Sequence, residues 1–311
     1  MYLEFHGLRD FPFAIGCHER LFYESAAHGE ALANMVYTIQ QRKGMVLITG
    51  EVGAGKTFMG VMVAERLGSG CLTLSLAHPP DSAKQLLRAV AEGLDLRVRP
   101  EADRMQLATQ IEKQLARLHR RKRLVALIID EAQELNENCL KQVRLLWNFE
   151  RQGDRLVQIV LLGQPELREM IQEPQWEPLQ QRIVLSYHLG SLSYRDTVRY
   201  IMHRIRLCAD RNCRLGFTLH AAQDVYAATK GIPRLINVLC DNALLVGYVH
   251  GTHRINRRII AEVVKTMTCW PVRPQLGLRP GSSPEDRMAT AEDTGDMEAL
   301  DPALRPPPDG P

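Results

Sequence analysis

Residues 50–57 read Gly50-Glu51-Val52-Gly53-Ala54-Gly55-Lys56-Thr57, a complete G-x-x-x-x-G-K-[ST] pattern set directly behind the apolar run Met45-Val46-Leu47-Ile48. Glycines let a backbone take left-handed angles and turn successive N–H groups inward around phosphate oxygens, where no side chain would fit. Lys56 then stands to reach the β- and γ-phosphates, and the Thr57 hydroxyl to ligate magnesium. The residues behind, Phe58 to Leu67, are helix-forming, so the anion meets the positive end of a helix dipole. A lysine in that first turn opposes the dipole unless an anion is present. The octet therefore predicts a strand, a phosphate-binding loop, a helix and a bound nucleoside triphosphate. A dinucleotide-binding fold is excluded, because Gly50, Gly53 and Gly55 do not give G-x-G-x-x-G. The next strand, Cys71-Leu72-Thr73-Leu74-Ser75-Leu76, also runs into Ala77-His78 rather than an acidic residue.

Such a loop calls for a metal-binding carboxylate on a neighbouring strand. Leu124-Val125-Ala126-Leu127-Ile128-Ile129-Asp130-Glu131 supplies one. An unbroken apolar run fits a parallel strand covered on both faces, and carboxylates at its carboxyl end stand where open α/β sheets bind ligands. Asp130 would hold magnesium, and Glu131 would orient and deprotonate the attacking water. Alone, an Asp-Glu pair after a strand is a solvated turn; the loop about 75 residues upstream gives it a function.

Strands expected at 45–50, 71–76, 124–129 and 156–162 alternate with helices near 56–67, 81–94, 103–119 and 137–151, and a fifth strand is read at 183–188. That alternation predicts an α/β fold with a doubly wound parallel sheet. After Ser193 helical periodicity takes over, in 193–209, 218–229, 233–249 and 255–266. The expected organisation is an ATPase core at 1–190, a small helical lid at 191–268 and a Pro-rich acidic tail at 269–311. Residues 271–311 hold nine of the 17 prolines and a net charge of −4, a composition that predicts disorder and leaves residues 1–270 at +7.

With 45% hydrophobic and 24% charged residues the chain can build a sizeable core and more than one domain. No apolar run approaches the length of a membrane span. The first ten residues carry acids and no apolar h-region, which argues against a secretory signal. Seven cysteines, odd in number and without C-x-x-C pairing, read as reduced thiols of a cytoplasmic protein.

Three polar positions outside the two motifs stand where nucleotide chemistry needs them. Gln164 follows the fourth strand and suits the γ-phosphate or the attacking water; the bland account is a loop glutamine before the helix-starting Pro165. Arg182 precedes the fifth strand and suits an arginine finger acting on a neighbouring subunit's nucleotide; the bland account is a surface arginine. Arg234 follows Pro233 in the first turn of a helix, where a cation costs about 0.3–1 kcal/mol unless an anion accompanies it.

Together Gly50–Thr57, Asp130-Glu131-Ala132-Gln133, Leu162-Gly163-Gln164-Pro165-Glu166-Leu167, Gln181-Arg182-Ile183, Tyr200-Ile201-Met202-His203-Arg204-Ile205 and Gly231-Ile232-Pro233-Arg234 resemble the AAA+ ATPases of the general secretion pathway A (ExeA-like) group, over about residues 1–268. The same module is similar to transposition ATPases of TniB and MuB type. The resemblance implies Walker A at 50–57, Walker B at Asp130 and Glu131, sensor 1 at Gln164, the arginine finger at Arg182 and sensor 2 at Arg234. It also implies ATP rather than GTP, with Mg2+, and self-association into a ring or filament. Longer members continue into a transmembrane helix and a peptidoglycan-binding domain, where this sequence has Pro271–Pro311. The expectation is thus a stand-alone cytoplasmic ATPase driving assembly of an envelope secretion, pilus or polysaccharide-export system.

The alternative is a DNA-binding regulator of transposition type. Arg195, Arg199, Arg204, Arg206, Arg211 and Arg214 lie against only Asp196 and Asp210, either a phosphate footprint or a solvated helix face. The Arg117–Arg123 cluster is accounted for by cations complementing a helix's carboxyl end. Phe11 and Phe13 either pack near the base or form a core pair.

Overall fold

The structure, a computed structural model, describes residues 1–16 and 18–266; the expected tail at 269–311 lies outside the described residues. The chain forms two compact units, Glu24–Gly190 and a helical unit that joins Met1–Tyr23 to Ser191 onward.

In the first unit the strands are β1 (Met45–Gly50), β2 (Cys71–Leu76), β3 (Leu124–Ile129), β4 (Gln158–Gly163) and β5 (Ile183–Leu189). They form one parallel sheet in the order β2-β3-β4-β1-β5. Burial follows position: β1 and β4 are buried along their whole length, whereas the edge strand β5 alternates between half-buried and exposed residues. The flanking helices are α1 (Ala26–Gln40), α2 (Lys56–Leu67), α3 (Ala83–Gly93), α4 (Arg104–Arg120), α5 (Glu137–Trp147) and α6 (Pro165–Gln172). Polar caps set their starts: Ser82 and Asn136 accept from the third residue onward, and Asp103 forms a capping box with Gln106. Leu86, Leu87, Leu107, Ile111, Leu127 and Leu140 are among the side chains that fill the core on them.

Two expectations for this unit are corrected. The helix expected over 137–151 ends at Trp147, because Gln152 and Gly153 take positive φ and fold Glu150–Arg151 back on Asp154–Arg155 as a short hairpin. Helix α1, capped by Ser25, was not expected at all.

The helical unit contains α7 (Tyr194–Cys208), α8 (Leu219–Thr229), α9 (Pro233–Val249) and α10 (Arg257–Thr266). Residues 1–23, placed with the ATPase core by the sequence reading, belong here instead. Leu8, Phe13 and Leu21 are buried in one cluster with Ile201, Leu239 and Ile260. Phe13 meets Phe217 edge-on and Phe11 is half exposed against Tyr2, so the two are not a base-stacking pair within this unit. Among the described residues no helix is long and apolar enough to cross a membrane.

Candidate functional site

The carboxyl ends of β1, β3 and β4 bring most of the expected residues together. Gly50 closes β1 so tightly against β5 that a Cβ there would lie 2.6 Å from the Leu189 carbonyl oxygen. Gly53 and Gly55 take φ of 82° and 102°, the left-handed angles that turn loop amides inward. The loop's other members Glu51, Val52 and Ala54 complete the turn, with the Ala54 amide donating to the Glu51 carbonyl. Lys56 and Thr57 open α2. The Lys56 ammonium is buried and donates to the Gly50 and Glu51 carbonyls at 2.7 and 3.0 Å. Burial pushes its pKa below the ordinary lysine value, while Glu131, Asp130, Glu51 and Glu166 oppose that shift. One cation thus stands among four carboxylates.

Asp130, also buried, takes the Glu131 amide on Oδ1 at 2.9 Å, and its own amide donates to the Leu76 carbonyl. Glu131 sits at φ 48°, ψ 38°, an uncommon left-handed conformation for a glutamate. Its Oε2 accepts from Gln133 Nε2 at 2.7 Å and from Gln164 Nε2 at 3.5 Å. Gln133 Oε1 in turn accepts the Gln164 amide at 3.0 Å. A Cβ on Gly163 would come within 3.0 Å of that oxygen, so this glycine is needed for the junction. Gln133 was given no role in the sequence reading. Its side chain ties the Glu131 carboxylate to the start of α6, a link that depends on the left-handed turn at Glu131. A second unforeseen neighbour is His28 on α1, hydrogen-bonded to Ser25 at 2.7 Å; a Cβ on Gly55 would lie 3.6 Å from its ring.

Arg182 is not part of this group. Its carbonyl accepts the Met45 amide at the amino end of β1, so a whole strand, about 16 Å, separates it from Gly50. Its guanidinium donates to Pro178 O and Asn148 Oδ1 and lies 5.4 Å from the Trp147 ring centre. Arg234 belongs to the helical unit, exposed in the first turn of α9 behind Pro233. Arg204, one of the candidate phosphate contacts, is corrected: it is only 3% exposed and donates to the Tyr200 hydroxyl at 3.0 Å and to the Ala14 carbonyl.

A phosphate-binding loop between β1 and a helix, with a carboxylate pair at the end of β3 in a β2-β3-β4-β1-β5 sheet, defines a P-loop protein of the AAA+ class. Residues 39–171 match the AAA domain family. The fold superposes on Cdc6p from Pyrobaculum aerophilum with a TM-score of 0.63 at 12% identity, covering 82% of this chain and 70% of that one. On the ORC2 protein of Aeropyrum pernix in its ADPNP-ADP complexes the TM-score is 0.60 at 14% identity, over 78% of this chain and 68% of the other.

The chain therefore has the AAA+ fold, and in sequence it is similar to the general secretion pathway A group. It is 38% identical over 257 residues to General secretion pathway protein A of Aeromonas hydrophila, an alignment that takes in 82% of this chain and 46% of that protein. The chain spans about half the length of the relative it matches.

Proposed function

We propose that the chain is a magnesium-dependent ATPase that works in head-to-tail assemblies in the cytoplasm and drives assembly of an envelope secretion, pilus or polysaccharide-export system. The observation that carries the reading is the convergence of Lys56, Asp130, Glu131, Gln133 and Gln164 at one edge of the sheet. The loop amides and Lys56 bind the triphosphate. Asp130 and the Thr57 hydroxyl suit magnesium, a cation that takes one or two protein oxygens and completes its shell with phosphate and water. Held by these two residues, magnesium would supply positive charge to the triphosphate. Glu131 takes the proton of the attacking water, with its carboxylate held by Gln133. Gln164 faces the same carboxylate and positions the water or the γ-phosphate, and Arg234 serves as sensor 2.

Arg182 supports the assembly part of the reading. It stands a strand's length from its own loop, so a catalytic guanidinium there acts on another subunit's nucleotide. The 38% identity to General secretion pathway protein A supports the envelope context. The DNA-binding alternative ranks second: Arg195, Arg206, Arg211 and Arg214 are exposed, but the buried Arg204 cannot join them.

Glu131→Gln tests the chemistry. The variant should bind ATP as the parent does and lose about 10²–10⁴-fold in kcat, the usual worth of a general base. Hydrolysis at the parental rate would remove Glu131 from the mechanism.

A further inference from the structure

Helices α1 and α4 end at the amino edge of the sheet, and both end in the same way. Helix α4 stops at Arg120, and the Lys122 and Arg123 amides donate back to the His119 and Leu118 carbonyls at 2.8 and 3.0 Å. Helix α1 stops at Gln40, and the Arg42 and Lys43 amides donate to the Ile39 and Thr38 carbonyls at 3.1 Å each. These are Schellman caps, which put one residue in the left-handed region and favour glycine there. That residue is Lys122 at φ 58° in one cap and Arg42 at φ 53° in the other. At both turns a cation stands where the backbone favours glycine.

The charge around the caps is one-sided. The four residues that precede each of the five strands include eight arginines and lysines, namely Arg42, Lys43, the Arg120–Arg123 run, Arg155 and Arg182, against one acid, Asp154. Asp154 joins the two turns into one patch, 3.9 Å from Arg42 and 3.8 Å from His119. Lys43 and Arg120–Arg123 are exposed, and so is Arg117 one turn earlier. Among the described residues the side chains of Arg117, Arg120, Arg121 and Lys122 make no hydrogen bond or ion pair. The dipole of α4 accounts for cations in its last turn and not for three more beyond it. Arg155 and Arg182 turn to the Trp147 ring instead.

Two exposed uncharged side chains stand among these cations. Tyr37, one turn before the α1 cap, is 53% exposed and has the Lys43 ammonium 4.3 Å from its ring centre. Val184, also 53% exposed, lies against the backbone beside Lys43, where a Cβ on Gly44 would come within 2.7 Å of it. A phosphodiester backbone offers such side chains nothing, whereas the interfacial layer of a bilayer takes up aromatic and aliphatic groups between its headgroups. The strands are parallel and about 4.8 Å apart, so their amino ends form a row roughly 20 Å long, suited to a plane of charge rather than to a grooved rod.

We propose that this edge docks on the headgroup layer of an anionic bilayer, the cations of the two caps meeting lipid phosphates and Tyr37 and Val184 entering between them. Charge complementarity selects the occupant, since clusters of about four to eight lysines and arginines bind anionic lipid surfaces through the attraction of each cation to the surface potential. The phosphate-binding loop lies at the opposite end of the same strands, so docking leaves it open.

Sedimentation of the full-length protein with lipid vesicles tests this. The protein should bind phosphatidylcholine vesicles containing about one third phosphatidylglycerol, more weakly as salt is raised, and not bind phosphatidylcholine alone. Arg120→Ala, Arg121→Ala and Lys122→Gly together should lower the partition coefficient about 100-fold, about fivefold for each cation. Glycine suits the left-handed turn and all three side chains are exposed, so this variant should share the parent's thermal transition. Arg195→Ala, Arg211→Ala and Arg214→Ala, which remove the same charge from the helical unit, should leave vesicle binding unchanged. Equal losses from the two triple variants would reduce the effect to net charge and overturn the proposal, as would no binding to the anionic vesicles. Tyr37→Ser with Val184→Ser should weaken binding severalfold; parental binding would leave a purely electrostatic face and overturn the bilayer as its occupant. Binding of a DNA duplex that depends on the Arg120–Lys122 triple, with no binding of vesicles, would make the edge a nucleic-acid site and overturn it too.

Discussion

The two units bury charge for different ends, and the neighbours of each buried group tell which. Lys56 and Arg204 are almost equally hidden, at 5% and 3% exposure. Around Lys56 four carboxylates converge with loop carbonyls and inward-turned glycines, a concentration of charge that packing does not need. Arg204 meets neutral groups: the Tyr200 hydroxyl, which donates onward to Asn237 at 2.8 Å, the Ala14 carbonyl and the Tyr200 ring 5.2 Å away. It fastens the amino-terminal segment to α7. Burial alone would have ranked the two residues together; on the proposed function one is held for a ligand and the other for the fold.

Removing each charge should therefore have opposite consequences. Lys56→Ala should abolish nucleotide binding, read by titration with a fluorescent ATP analogue, and leave the thermal transition unchanged or raised, because a buried ammonium is costly to keep. A variant that still binds within about tenfold of the parent would break the comparison at its strongest point. Arg204→Ala should do the reverse. Loss of charge-assisted hydrogen bonds and the space left behind should cost about 2–3 kcal/mol in urea unfolding, with nucleotide affinity kept. Unchanged stability together with weakened DNA binding would return Arg204 to the surface role first considered for it.

How much of this could be read from the chain follows the same division. The strands were legible because apolar runs such as Val125–Ile129 have no other use than a sheet covered on both faces, and the glycines at 50, 53 and 55 have no other use than the loop they form. Helix α1 was missed although Ser25 marks its start, since its mixture of small, polar and apolar residues gives a weak stripe. Gln133 was invisible for a physical reason: its reach to Glu131 and Gln164 is created by a left-handed turn at a residue type that seldom adopts one. Arg204 was legible in principle. It lies three residues after Ile201 and four before Cys208, on the stripe that faces the core, and the phase of the helix outranks the charge of the residue. No local pattern tells residues 1–23 which unit to join; that choice is made by Leu8, Phe13 and Leu21 finding the helical cluster.

The smallest effect expected is a pH dependence confined to the helical unit. His6 is fully buried, donates Nε2–H to the Leu244 carbonyl at 3.0 Å and has Nδ1 enclosed without a partner. The neighbouring rings, His253 at 5.8 Å and Phe5 at 4.9 Å between ring centres, crowd the site on one side. Burial lowers the His6 pKa below 6.5; the Leu244 carbonyl opposes the shift and His253 adds to it. The folded chain then binds fewer protons than the unfolded chain below that pH. The stability His6 contributes is thus complete above 6.5 and is lost as pH falls toward its folded pKa, by at most about 1.4 kcal/mol per pH unit. His203 is lowered first by burial too and contributes with the same sign. Thermal midpoints at pH 7.5 and 5.5 should show a drop in the parent and a smaller one in His6→Gln, which keeps a donor for Leu244 but cannot titrate. An identical drop in both would mean that the buried ring already finds its second proton a partner on acidification, and that His6 carries none of the pH dependence.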